Sequence, residues 1–477
     1  MSLRSAGGSP RVDRLTGPDL GGFVPEKFGW PAEIGLIGLL EGGPLFDGDG
    51  RLRSDEVRDR IARRLSLAPR LRQVVHRPGR ALGRPLWVDA PCFNIAEHVR
   101  TRPLPAGASR IDLLQTCEEL RQRPLDRTRP LWQLWLLPRL PGNEVGIFVR
   151  VHHAIADGPA AVELLSNLFD RTPDTTPPAA SPWIPQPRPS ARDLLLDNLR
   201  RSAAAVSQAS RRHLHPMALV DQLRELWPPI REYLAELPAS PTSLNAPLGP
   251  ARRIAVITSS LSTVKDASHR LGVTVNDAVL AAVTGGIREL LQSRGERVDG
   301  LVLRAMVPVS LQNPSLGPLR GNLYGSMVVR LPIGEVNTVR RLDRIAAETA
   351  SRKQRTKRPW GIGLFGSPLM QRLILPLARR QHYINIHVAN VRGPAEPLYL
   401  AGARLTTAFP LVPLNVNLTI GIGVLSYTNQ LNITAVADRD QCPDLATFTT
   451  GLNHSLFDLI QGANPDPSED RYERPTL

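Results

Sequence analysis

The chain has 477 residues and carries 59 Lys+Arg against 44 Asp+Glu, a formal charge of +15. Hydrophobic residues at 42% and charged residues at 22% match globular proportions and exclude a disordered chain. No run of about 18 or more uncharged apolar residues occurs, which excludes a spanning helix, and the length fits about two or three domains. The N-terminal MSLRSAGGSPRVDRL lacks the apolar stretch of a signal peptide, so a cytoplasmic protein, soluble or peripheral, is expected.

In chain order, residues 1–170 read as a first α/β lobe. Helical spacing at Val57, Ile61 and Leu65, and again at Leu113, Leu114 and Leu120, alternates with strand-like runs such as LWQLWLL. Residues 171–190 hold seven prolines and read as a stiff, extended linker. Residues 191–250 form a helical insert, with Leu219, Leu223, Leu226, Ile230 and Leu234 at helical spacing. Residues 251–465 return to alternating strands and helices: RRIAVITSSL, LVLRAMVPVSL, SMVVRLP, INIHVANV, NVNLTIGIG and QLNITAVA are the strand candidates. The polar tail 466–477 is expected to fray.

The basic excess is nearly all arginine, since Lys27, Lys265, Lys353 and Lys357 are the four lysines. Such a balance favours anionic partners: nucleic acid, acidic lipid or phosphate-bearing molecules. Aromatics are only 5% and do not interleave with basic residues, which makes nucleic acid the weakest of these. Arg352 to Arg358 places five cations in seven residues, followed by the apolar GIGLFGSPLMQRLILPLARR. That pairing suits peripheral attachment to a lipid surface, and equally a buried helix beside a solvated end. Cys92, Cys117 and Cys442 are too dispersed for a disulfide framework or a CxxC metal site, so buried free thiols are expected.

The segment VGIFVRVHHAIADGPAAVELL carries the sharpest signal. Val145, Ile147, Val149 and Val151 alternate as a strand, and period two sends His152 and His153 to opposite faces if the strand runs through them. Asp157 then suits an N-cap, with Gly158 and Pro159 opening a helix. An imidazole at a strand end, with an ordinary pKa near ~6.5, suits a general base near neutral pH. Two other readings stand beside it: satisfied polar groups beneath a loop, and metal ligation. The last lacks an HExxH pattern or Cys/His partners. Thr274 and Asp277 form a capping-box pattern before the helix Ala278–Leu291. Trp132 reads as packing or as the wall of an apolar channel, and Gly393-Pro394 as a turn.

HHAIADG resembles the HHxxxDG motif of the wax ester synthase/diacylglycerol acyltransferase family. PLDRTRPLW precedes it as the family's PLW element does, and GVTVNDAVLAAVTGGIREL, VPVSL, Gly321-Asn322, NVRGP and LSY follow in that family's order, so the resemblance spans roughly residues 15–460. It implies an α/β fold of two chloramphenicol-acetyltransferase-like lobes with an active-site tunnel between them. It implies His153 as the base that deprotonates an acceptor hydroxyl, with His152 and Asp157 supporting, and no resident cofactor or metal. Gly158, Trp132, Asn276, Asp277, Asn390 and Gly393 would bind substrate or hold structure near the site. The substrates implied are acyl-CoA and diacylglycerol or a long-chain alcohol, met at a membrane or lipid droplet. Rival readings are acylation of a polyketide or glycolipid hydroxyl from a carrier-protein or CoA donor, and a non-catalytic lipid-binding protein. Arg392 departs from the family, which often has proline there, and Asn429 from a common glycine.

Overall fold

A computed structural model describes residues 12–176, 179, 182–213, 239–310, 324–355 and 381–463. The N-terminal half contributes strands β1 (Asp13–Arg14), β2 (Glu33–Glu41), β3 (Gln73–His76), β4 (Leu86–Asp89), β5 (Val99–Thr101), β6 (Trp132–Leu140) and β7 (Glu144–His152). The C-terminal half contributes β8 (Arg252–Ser260), β9 (Val302–Ser310), β10 (Tyr324–Pro332), β11 (Ile386–Arg392), β12 (Tyr399–Leu400), β13 (Ala403–Leu411), β14 (Ile420–Tyr427) and β15 (Gln430–Asp438). Helices are α1 (Ser54–Arg64), α2 (Arg110–Gln122), α3 (Gly158–Ser166), α4 (Ala191–His213), α5 (Leu261–Arg270), α6 (Val275–Ser293), α7 (Thr338–Arg355) and α8 (Leu445–Gly462).

Two six-stranded sheets organise the lobes. One has the order β10-β9-β11-β14-β15-β8; the other has the order β12-β13-β2-β7-β6-β5. The second sheet therefore takes two strands from the far half of the sequence. The boundary expected at 251–465 for the C-terminal lobe differs here: residues 399–411 cross over and pair with β2, Leu405 against Leu40 and Leu411 against Gly35. The first residues of NVRGP end β11 inside the C-terminal sheet. The crossing strand lies just beyond it. ARLTTAFPL alternates like any half-buried strand, and nothing local says which sheet it joins.

Burial explains both lobes. The long helix α6 is buried along most of its length against α8 and the C-terminal sheet, with Val279, Val283, Ile287 and Leu290 fully enclosed. In the N-terminal lobe α1 and α3 cover one face of the sheet. On the other face, α2 and the crossover residues Val412 and Leu414 pack with Ile254 and Val436 of the C-terminal sheet. One continuous apolar seam thus joins the lobes.

The Pro-rich stretch lies along the N-terminal lobe, where Trp183 meets Phe93 edge-on and the Gln186 N–H donates to Asp89 at 2.9 Å. Helix α4 docks beside it through buried Leu194 and an Arg14–Asp197 ion pair at 2.9 Å. The later leucines of the expected insert (Leu219 to Leu234) lie outside the described residues, as do residues 356–380 and 464–477. Cys117 and Cys442 are buried free thiols, whereas Cys92 is exposed on a loop rather than buried. Among the described residues no helix is long and apolar enough to cross a membrane.

Candidate active site

Strand β7 ends at His152, and the two adjacent histidines diverge. His152 is buried and held from both sides of its ring. The Ala154 backbone N–H donates to Nδ1 at 3.0 Å, so Nε2 carries the hydrogen and donates to Glu26 Oε1 at 2.9 Å. Phe23 stacks on the same ring at 4.3 Å between centroids. Burial works against a charge on Glu26. The His152 hydrogen bond and the Arg127 guanidinium outweigh it and hold the carboxyl below its ordinary range. Both imidazole nitrogens of His152 are thereby committed.

His153 turns the other way. Its backbone N–H donates to Ala32 O at 2.9 Å, which fixes the chain at the strand end, and its side chain lines a cavity of about 610 Å³ between the lobes. Burial holds this imidazole below its ordinary pKa, a backbone hydrogen bond opposes the shift, and proximity to His152 adds to it. It is therefore neutral near pH 7 and able to take a proton.

Behind the pair, buried Arg150 on β7 donates to Glu33 on β2 at 3.0 Å, to Gln133 at 2.8 Å and to the Arg123 carbonyl at 2.7 Å. Burial raises Glu33 despite Arg150 beside it. This ionic knot ties β2, β7 and β6 immediately beneath the histidine turn.

Asp157 caps α3: its side chain accepts from Ala160 N–H at 3.2 Å, and its carbonyl accepts from Ala161 at 2.7 Å. Gly158 opens the helix and lines the cavity. Its backbone is not in the left-handed region, so the demand at this position is for space. A Cβ there would sit 3.1 Å from Val391 Cγ2 of the opposite lobe.

Asn390 at the end of β11 also lines the cavity, and its amide donates to Asn276 Oδ1 at the start of α6 at 3.3 Å. Asp277 points elsewhere: it closes the capping box with Thr274 and accepts from Thr349 Oγ1 at 2.6 Å. Gly393 is required by close approach, since its N–H donates to Ser426 O at 3.0 Å and a Cβ would come within 2.3 Å of that oxygen. Trp132 is not a channel wall. It is sealed in the N-terminal core, where its indole N–H donates to Leu71 O at 2.8 Å and its ring stacks on His98. Sequence reasoning missed Glu26, the Arg150–Glu33 pair and His387, which lies on the cavity's C-terminal wall.

The fold matches several solved structures of two-lobed acyltransferases and condensation domains. A wax ester synthase/diacylglycerol acyltransferase from Marinobacter aquaeolei VT8 superposes with a TM-score of 0.68 at 22% identity, over 95% of this chain and all of that one. A trichothecene 15-O-acetyltransferase from Fusarium sporotrichioides gives 0.64 at 12% identity, over 96% and 97%. The starter condensation domain of rhizomide synthetase, in complex with C8-CoA, gives 0.58 at 15% identity, over 95% of each chain.

Residues 26–279 match the wax ester synthase/diacylglycerol acyltransferase catalytic domain, and residues 320–459 match the WS/DGAT C-terminal domain. Two proteins of Mycobacterium tuberculosis that carry the name diacylglycerol O-acyltransferase are similar. One is 31% identical over 82% of this chain and 80% of its own length. The other is 28% identical over 90% and 91%. The chain belongs to the wax ester synthase/diacylglycerol acyltransferase family and is an acyltransferase.

Proposed function

We propose that the protein transfers an acyl group from acyl-CoA to the free hydroxyl of diacylglycerol, forming triacylglycerol, and to long-chain alcohols, forming wax esters. One observation carries this reading: of the two motif histidines, His152 is consumed by Glu26 and Ala154, while His153 faces the cavity between the lobes. His153 takes the proton of the acceptor hydroxyl as the oxygen attacks the thioester carbonyl. The tetrahedral oxyanion collapses, the C–S bond breaks, and the His153 imidazolium returns its proton to the departing CoA sulfur. Holding donor and acceptor in one cavity replaces an encounter in solution by proximity, and no covalent enzyme intermediate is required. Asp157 supports by fixing the turn and the start of α3, and His152 by anchoring the strand end to Glu26. Acyl-CoA is a substrate in this scheme, not a resident cofactor.

Contact with a membrane or lipid droplet is part of the proposal. Its support is α4, where Leu195, Leu199 and Val206 are exposed at 41%, 56% and 68% on a helix that also carries Arg200 and Arg201. Flotation with anionic vesicles, lost on changing these three residues to serine, is the expected result. The test of the reaction is CoA release by the purified protein with diacylglycerol, a long-chain alcohol, a glycolipid or water as acceptor. Release with the first two and not with water is expected. Release with the glycolipid alone would replace the acceptor, and lipid binding without release under any acceptor would overturn the reading.

A further inference from the structure

The wall of the cavity opposite His153 carries a second imidazole that the steps above do not use. Strand β11 alternates: Ile386 and Val388 pack into the C-terminal core, while His387, Ala389 and Val391 line the cavity. The strand is clamped between two parallel neighbours, with His387 in register with Met306 on β9 and Gly421 on β14. Met306, its register partner on β9, is apolar, and Pro308, Ile384 and Leu414 of the same cavity lining are apolar too. No described residue gives or takes a hydrogen bond at its ring. A polar group set in such a wall is costly unless something entering the cavity meets it.

We propose that His387 selects the acceptor: it donates a hydrogen bond to an ester carbonyl that lies a few bonds from the free hydroxyl, while that hydroxyl meets His153. The proposal rests on the acyl-transfer reading above and names its acceptor class as acylglycerols. A 1,2-diacylglycerol carries an ester group, and with it such a carbonyl, on the carbon next to its hydroxymethyl group, whereas a long-chain alcohol offers only methylenes at that distance. Neutral imidazole has one N–H to donate. His387 stays in that form, because burial, and then the facing His153, push its pKa down to about 4. It therefore adds no second positive charge when His153 takes the acceptor's proton.

The experiment compares kcat/KM for a 1,2-diacylglycerol and a long-chain primary alcohol, with one acyl-CoA, in wild type, His387→Leu and His387→Gln. The leucine variant is expected to lose about tenfold in the diacylglycerol-to-alcohol ratio, with the alcohol rate kept. Glutamine, which retains an N–H donor, is expected to restore part of it. An unchanged ratio overturns the proposal, and so does an equal fall with both acceptors. A 1,2-dialkylglycerol diether tests the same point on wild type alone, whether or not the variants fold. It keeps the hydroxyl and lacks both carbonyls, and is expected to be used no better than the alcohol. Use equal to that of diacylglycerol overturns the selection. Wild type inactive with every acceptor would instead sink the acyl-transfer reading itself.

Discussion

On the N-terminal wall of the cavity the polar groups around the histidine turn are tied down. His152 is bound at both nitrogens, Asp157 caps a helix, and Arg150 is spread over Glu33, Gln133 and a carbonyl. On the C-terminal wall β11 presents His387 among apolar neighbours, and Asn390 is joined to Asn276 at 3.3 Å. The first wall is built to hold one imidazole in one place. The second carries the proposed acceptor contact. Geometry for proton transfer must be rigid, whereas acceptor choice needs only a surface whose polar points match the substrate.

That contrast can be broken at graded cost. His153→Ala removes the proposed proton acceptor and is expected to lower kcat about 10²–10⁴-fold with every acceptor, with the melting temperature unchanged. A variant that keeps its rate would move the chemistry off the N-terminal wall.

Arg150→Met strands Glu33 in the core and is expected to cost about 3–5 kcal/mol at neutral pH, read from denaturant midpoints. The sign with pH follows from Glu33, whose carboxyl burial already raises. Without Arg150 it rises further. A raised carboxyl stabilises the fold fully below its unfolded value, near ~4.3, and loses that contribution as pH rises through the folded value. The variant should therefore be closer to wild type near pH 5 than at pH 7.5. Equal loss at both would mean that Glu33 is not the group left stranded.

Glu26→Gln keeps the shape but removes the charge that receives the His152 N–H. A loss of about tenfold in kcat with little change in KM is expected, as for a partner that orients a catalytic group. A change confined to KM would assign Glu26 to substrate instead. The smallest effect is in the pH profile. Because burial holds His153 below its ordinary value, the acid limb of kcat/KM should fall below pH ~6.5, with activity rising as the imidazole loses its proton and level above. A limb at higher pH would assign it to another group.

Some of this site could be read locally. Asp157 as N-cap and the Thr274–Asp277 capping box are interactions over three residues, so the backbone alone places them. The divergence of His152 and His153 is what period two gives for a strand through both, although β7 stops at His152 and His153 opens the turn. Other features depend on distant partners. Glu26 lies 126 residues from the histidine it holds. His387 follows Asn385 at a spacing of two in INIHVANV, so the strand pattern sets it on one face without saying what that face meets. Trp132 reads as packing or as a channel wall, and only the core around Leu71 and His98 decides for packing.

The sequence by itself determined many of the elements, the caps and the motif order, because helix and strand periodicity and capping act over a few residues; β2 and ARLTTAFPL are not among its strand candidates. Only the tertiary structure decided that residues 399–411 leave the second lobe to complete the first sheet, and that His153 and His387 face one cavity from opposite lobes. Strand pairing across hundreds of residues depends on which apolar faces meet, and an alternating strand fits either sheet equally well until both are formed.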